Sequence, residues 1–281
     1  MRLGSLVPIT ARPDLVAADL DGTLLPPDLV FAANVAPAVA ALQASGATFV
    51  ICTGRMFRSV RRVVAGIGLT SGLVICYQGA MVADLATGER LVHRTMDGAA
   101  AAEVVRETRR LGRHLNAYVD DQLFVERLDD WARRYAEFAE VGVERVDDLA
   151  ALVLSRSPTK LVLTTSPDDV PALLPGLRRS WGDRLYVTLS QPGYIEFADG
   201  AVSKSGALQW LCDERGLRRE ATLACGDGMN DVDMLRWAGV GVAVAESAPD
   251  VRAAADAVLP RAGLPALFRR LARLPVADPP S

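Results

Sequence analysis

Between Leu15 and Tyr77 the chain alternates short apolar runs with amphipathic stretches, and that rhythm sharply limits the architectures open to it. Leu15–Ala18, Ala47–Cys52 and Leu73–Tyr77 read as strands, with helices expected over Asn34–Ser45 and Phe57–Ala65 between them. The strand runs are continuously apolar rather than alternating, which is the pattern of strands covered on both faces in a parallel sheet. Ser45-Gly46 and Ser71-Gly72 supply helix-ending glycines in the short connections. A βαβαβ unit with right-handed crossovers follows, and with it an α/β fold built on a doubly wound parallel sheet.

The rhythm then breaks. Met81–Asp84 and Arg90–His93 read as a hairpin through Thr87-Gly88, followed by a helix from about Ala99 to Leu111. A second hairpin is expected around Asp120-Asp121, a helix around Asp130–Ala139, a strand over Lys160–Thr165 and a helix over Pro167–Ser180. A third strand pair runs through Gln191-Pro192-Gly193. Antiparallel pairs separated by helices describe an α+β insert. From Ala201 the βα rhythm resumes, with strands at Thr222–Cys225, Val240–Val244 and Ala257–Leu259. The expected organisation is a catalytic core made of residues 1–84 and 198–281, interrupted by an inserted domain at 85–197. The tail Pro275–Ser281, with three prolines, reads as disordered.

Composition excludes several classes. At 281 residues, 50% hydrophobic and 23% charged, the chain can bury a full core. A net charge of −3 and arginines spread along the sequence leave no basic footprint for nucleic acid. No apolar stretch approaches the roughly 18 residues of a membrane helix, and Met1–Thr10 lacks a secretory core, so the expected location is the cytoplasm. Cys52, Cys76, Cys212 and Cys225 have no Cys-x-x-Cys spacing and read as buried free thiols. With only His93 and His114 available, a zinc site is not expected. Among 31 basic residues just two are lysines, Lys160 and Lys204. In an arginine-rich chain a lysine marks a place where a compact point charge is needed.

The first strand ends in Asp19-Leu20-Asp21-Gly22-Thr23. On an extended backbone Asp19 and Asp21 share a side and address one volume. Two carboxylates about 4 Å apart repel by roughly 4 kcal/mol at an effective dielectric near 20, so a purpose or a cation must offset the cost, and magnesium is the obvious candidate. A turn or helix cap is the competing explanation for this motif alone. Three further segments follow other strands or open a helix: Thr53-Gly54-Arg55, Lys204, and Gly226-Asp227-Gly228-Met229-Asn230-Asp231. In an open parallel sheet, residues just beyond different strands converge at the switch point. A hydroxyl and a backbone N–H at a helix start, as in Thr53-Gly54, suit phosphate oxygens. No dinucleotide fingerprint is complete: the third glycine position after Gly226 and Gly228 is Asp231, and Gly239-Val240-Gly241 lacks one too.

Taken in order, Asp19-x-Asp21-Gly22-Thr23, Thr53-Gly54-Arg55, Lys204 and Gly226-Asp227-Gly228-x-Asn230-Asp231-x-x-Met234-Leu235 resemble the haloacid dehalogenase superfamily of phosphohydrolases. The insert between the second and third motifs resembles the Cof-type branch with its C2-type cap. The resemblance implies that Asp19 attacks phosphorus to give an aspartyl-phosphate, while Asp21 acts as general acid and then base. It implies Mg²⁺ held by Asp19, the carbonyl of Asp21 and Asp227, with Asp231 a further metal-site acid that binds the ion directly or supports its ligands. It also implies that Thr53, the Gly54 N–H and Asn230 hold the phosphate oxygens, with Lys204 screening charge. Apart from the resemblance, Arg55 is a candidate for reaching across the cleft to the substrate. Three positions depart from the usual pattern: Gln78 where Asn is common, Ser205 where Gly is common, and Ala245-Glu246 in place of Gly-Asn. The expected activity is hydrolysis of small-metabolite phosphomonoesters, such as sugar or cofactor phosphates. The alternatives are a phosphomutase or phosphotransferase on the same fold, a non-catalytic phospho-ligand sensor, and a nicotinamide-dependent dehydrogenase. The sequence leaves the substrate and the oligomeric state open.

Overall fold

A computed structural model describes residues 9–139 and 141–276. β1 (Leu15–Ala18), α1 (Val35–Ala44), β2 (Thr48–Cys52), α2 (Phe57–Ala65) and β3 (Leu73–Cys76) form the expected βαβαβ run, with β1 parallel to β2 and β2 parallel to β3. β4 (Met81–Asp84) returns antiparallel to β3, and β5 (Arg90–His93) forms the edge.

The next stretch carries α3 (Gly98–Arg110), β6 (His114–Val119), β7 (Gln122–Val125), α4 (Asp130–Ala139), β8 (Val143–Arg145), α5 (Leu149–Ser155), β9 (Lys160–Thr164), α6 (Val170–Trp181), β10 (Leu185–Gln191) and β11 (Tyr194–Asp199). The chain then returns to the first sheet through α7 (Lys204–Arg215), β12 (Thr222–Gly226), α8 (Val232–Trp237), β13 (Val240–Val244), α9 (Pro249–Ala253), β14 (Ala257–Leu259) and α10 (Leu264–Leu271).

Two compact units result. One holds residues up to Thr53, Arg61–Leu91 and everything from Ser203 on; the other holds Gly54–Val60 and Val92–Val202. In the first unit eight strands run in the order β14-β13-β12-β1-β2-β3-β4-β5, so the doubly wound α/β class is borne out. β1 lies between β2 and β12, where the winding direction reverses, and the crevice beyond its carboxyl end is the switch point. All four residues of β1 are buried, as a continuously apolar central strand requires. α10 packs on α1, and Phe268 meets Phe49 edge-on with ring centroids 5.7 Å apart. Pro275 and Val276 pair with Arg12, whose N–H donates to the Pro275 carbonyl at 2.7 Å, so the expected disorder does not extend to them. Residues 1–8 and 277–281, the rest of both terminal expectations, lie outside the described residues.

The second unit is a six-stranded sheet in the order β10-β11-β9-β6-β7-β8, antiparallel except between β7 and β8. Strand alternation gives it two unlike faces. Leu115, Ala117, Leu161, Leu163, Ile195 and Phe197 point into an apolar core shared with residues of α3, α5 and α6. The alternate positions carry buried polar side chains, among them His114, Asn116, Tyr118, Lys160, Thr164 and Glu196. Here Lys160 Nζ donates to Glu196 Oε1 at 2.9 Å and to the Gly54 carbonyl at 2.8 Å. At the β6–β7 turn, Asp120 and Asp121 take positive φ (51° and 61°), and the Asp121 carboxylate accepts the Phe57 and Arg58 N–H groups at 3.0 Å each. Both residues of the expected hairpin turn therefore have the conformation such a turn demands.

Candidate active site

β1 delivers Asp19 by continuing its own ladder: the Asp19 N–H donates to the Cys225 carbonyl at 2.9 Å, one residue beyond the last paired residues of β1 and β12. The chain then turns at once. Leu24 and Leu25 donate to the Leu20 carbonyl at 3.0 and 2.7 Å, and Gly22 sits at φ +85°, where a side chain is disfavoured. A Cβ at Gly22 would also stand 2.1 Å from Asp227 Oδ2, so the glycine leaves that carboxylate its place. Arg261 Nε fixes the turn by donating to the Gly22 carbonyl at 2.6 Å.

The segment after β12 closes on its own acid. Asp231 Oδ2 accepts the Asp227 and Gly228 N–H groups at 3.0 and 2.8 Å, and Thr23 Oγ1 donates to Asp227 Oδ1 at 2.7 Å. Lys204 begins α7, whose N-cap Ser203 accepts the Gly206 N–H on its side-chain oxygen at 2.9 Å. From there Lys204 Nζ reaches Asp19 Oδ1 at 2.6 Å and Asp231 Oδ1 at 2.5 Å. Ser205, one of the three sequence departures, uses both its N–H and its hydroxyl on Asp233 Oδ2, each at 2.9 Å.

Asp19, Asp227 and Asp231 therefore present carboxylate oxygens within 4.8 Å of one another. At that separation each like-charge pair costs roughly 3–4 kcal/mol at an effective dielectric near 20. The one ammonium among them cannot offset three carboxylates. Burial first, then Asp231, pushes the Asp19 carboxyl well above the usual range, even with Lys204 pulling the other way. Burial and Asp231 likewise push Asp227 up to about 6. Burial alone would lower Lys204, but Asp19 and Asp231 outweigh it and hold its ammonium well above its ordinary value. A raised acid beside a raised amine is consistent only because acids outnumber the amine. The residues fit a hard divalent cation: the cluster is all oxygen, and two added positive charges would balance its excess.

The other expected residues are placed as follows. Asp21 lies in the turn, and its charge is a further, smaller cause of the Asp19 shift; its carboxylate is not part of the three-acid cluster. Thr53 is buried at the end of β2, its N–H donating to the Ile75 carbonyl at 2.9 Å and its carbonyl accepting the Gln78 N–H at 3.1 Å. Gly54 and Arg55 belong to the second unit, where Arg55 donates to Ser59 Oγ at 3.1 Å. Asn230 Nδ2 donates to Gln78 Oε1 at 3.0 Å. The sequence marked Gln78 only as a departure and gave no sign of this partner. All four cysteines are buried and free, as expected. No helix among the described residues is long and apolar enough to cross a membrane.

A doubly wound sheet with a largely buried acidic cluster at its switch point is the architecture of an α/β enzyme. Residues 16–263 match the model of the haloacid dehalogenase-like hydrolases, and the chain belongs to that family. The resemblance carried by the four motifs is thereby borne out. The chain is similar to the 5-amino-6-(5-phospho-D-ribitylamino)uracil phosphatase YitU of Bacillus subtilis, 28% identical over 87% of this chain and 91% of that protein. It is 29% identical to an HMP-PP phosphatase of Escherichia coli O157:H7 over 85% of this chain and 86% of that one. Among solved structures, TM0651 from Thermotoga maritima superposes with a TM-score of 0.80 at 26% identity, covering 95% of this chain and 98% of that one.

Proposed function

We propose that the protein is a Mg²⁺-dependent phosphatase that hydrolyses small-metabolite phosphomonoesters through an aspartyl-phosphate. The observation that carries this reading is the cluster of buried Asp19 and Asp231 with half-buried Asp227, and Lys204 between the two buried acids. Asp19 attacks phosphorus in line, and the bond to the leaving oxygen breaks as Asp21 delivers a proton to it. Asp21 then takes a proton from the water that attacks the acyl phosphate, releasing inorganic phosphate and restoring Asp19. Thr53, the Gly54 N–H and Asn230 hold the non-bridging oxygens, Arg55 contributes to substrate binding, and Lys204 keeps Asp19 oriented while offsetting charge. Asp19, the Asp21 carbonyl, Asp227 and Asp231 would hold the metal, which when bound screens the phosphoryl dianion from the attacking carboxylate.

Residues 1–84 and 198–281 form the catalytic core in this reading, with 85–197 as a cap that excludes water and large substrates. The enzyme works in the cytoplasm on a small phosphorylated metabolite, without nucleic acid or membrane as partner. The test is phosphate release from a generic aryl phosphate with Mg²⁺, with EDTA, and in Asp19→Asn. Turnover that survives EDTA or the substitution sinks the mechanism. A panel of sugar, nucleotide and cofactor phosphates, including the ribitylaminouracil phosphate named for the B. subtilis relative, then addresses the substrate.

A further inference from the structure

The chain leaves β3 through a backbone that side chains ordinarily avoid. Tyr77 and Gln78 both sit in the left-handed region, at φ 53° and 60°, and Gly79 follows at φ 103°. Asp120 and Asp121 form a comparable pair in the second unit, where a tight hairpin turn explains it. In the first unit Tyr77-Gln78 is the one consecutive non-glycine pair of this kind among the described residues; both members are buried, and they open the four-residue connection that turns β3 back into antiparallel β4. Strain of this sort persists where surrounding contacts over-determine it, and it gathers at functional sites.

The contacts made by Gln78 show what the conformation achieves. Its N–H donates to the Thr53 carbonyl at 3.1 Å, and its side-chain Oε1 accepts from Asn230 Nδ2 at 3.0 Å. One buried residue therefore ties together the end of β2 and the loop after β12, which carry two of the groups assigned above to the phosphoryl oxygens. The Asn230 amide is held from its other side as well. Its Oδ1 lies so close to Gly228 that a Cβ there would stand 2.2 Å away. With the oxygen seated on Gly228 and one Nδ2 proton given to Gln78, the remaining Nδ2 proton has a fixed direction.

We propose that Gln78 is a positioning residue for phosphoryl recognition: it aims the Asn230 amide and sets Thr53 from the backbone, before substrate arrives. This rests on the phosphatase reading, and it goes beyond it by giving a role to a residue to which that reading assigns none. A preorganised donor costs no reordering when the oxyanion binds.

Gln78→Gly, Asn230→Ala and the double variant test it, measured for kcat, KM, inhibition by orthovanadate and melting temperature. Glycine adopts this φ freely, which offsets part of the cost of removing a buried, hydrogen-bonded side chain, so Gln78→Gly is expected to stay folded with a modestly lower melting temperature, and vanadate affinity rather than stability reads the link to Asn230. The expected result is a loss of about tenfold in both kcat/KM and vanadate affinity for Gln78→Gly, matching one well-placed hydrogen bond. The double variant is expected to be no worse than Asn230→Ala, because Gln78 acts through that amide. Multiplicative losses, or unchanged vanadate affinity in Gln78→Gly, overturn the proposal while Asp19-dependent turnover leaves the phosphatase reading intact. If wild-type turnover does not depend on Asp19, both fall, since Gln78 then has no phosphoryl site to serve.

Discussion

Gly79→Ala is expected to damage the first unit far more than its exposure or size suggests. At φ +103° the residue lies beyond the left-handed well that an alanine can occupy, which costs about 1–2 kcal/mol in strain. The new Cβ would stand 2.1 Å from the Ser203 carbonyl oxygen and 2.7 Å from its carbon. Both atoms are backbone, so no side chain can swing aside, and an ordinary C···O contact of about 3.3 Å requires a shift of roughly 1 Å. Ser203 is the N-cap of α7, and disturbing its bond to the Gly206 N–H costs about 1 kcal/mol more. The next residue is Lys204, whose charged hydrogen bonds to Asp19 and Asp231 are worth about 1.5–3 kcal/mol each and would be partly lost. The sum is about 4 kcal/mol, or about 10 °C in melting temperature for a chain of this size. Gly68→Ala is the matched control: φ is +72° there and no atom lies within 4 Å of a built Cβ, so strain alone, about 1 kcal/mol, is expected. Paired thermal melts and urea titrations read the difference. Equal melting temperatures for the two variants would refute the reasoning, because displacement of Ser203 is the main difference between them, beside a smaller difference in φ strain.

Two more outcomes follow from the acidic cluster. Asp227, pushed up to about 6 by burial and Asp231, binds its proton more tightly folded than unfolded, where the ordinary value is 3.8. That stabilisation is present below about pH 4 and lost as pH rises through about 6, so EDTA-treated protein should melt higher at pH 5 than at pH 7. Asp227→Asn should reduce that slope, and saturating Mg²⁺ should restore stability at pH 7; a slope of opposite sign contradicts the assignment. Lys204→Met leaves Asp19 and Asp231 facing each other without a cation, and is expected to abolish turnover and lower the melting temperature by several degrees. Lys204→Arg should not rescue either property, because the ammonium is fully enclosed and bonded to two carboxylates at 2.6 and 2.5 Å.

The first unit was largely legible because its strands announce themselves twice, by continuous apolar runs and by the reactive residues that follow them. Leu15–Ala18 gave both the central strand and the place where Asp19 leaves the sheet. Other elements were silent for physical reasons. β8 has three residues and α5 seven, too few for either period to register. α10 does carry an apolar stripe at Leu264, Leu267, Phe268 and Leu271, but its partner α1 is more than two hundred residues away in sequence. The polar face of β6, β9 and β11 was hidden differently: β6 reads HLNAYV, and alternating polar residues on a strand normally mean solvent, whereas here both sets are buried. Gln78 was visible only as a mismatch, since neither a left-handed turn nor a side-chain partner far along the chain has a local signature.

The lysine count proved the most economical signal, and the charge around each lysine separates their roles. Both are buried, and each bridges two acceptors with a single nitrogen, a geometry that a planar guanidinium cannot reproduce in the same space. Beside Lys160, Glu196 answers its charge and the Gly54 carbonyl takes another proton, which makes a buried, hydrogen-bonded ion pair. Around Lys204 there are two direct carboxylates and a third, Asp227, within the same cluster. Folding alone would favour trimming that excess, because every uncompensated buried acid is a cost. Its retention beside the switch point of the sheet is accounted for when a divalent cation completes the balance and a phosphoryl group is the thing to be held.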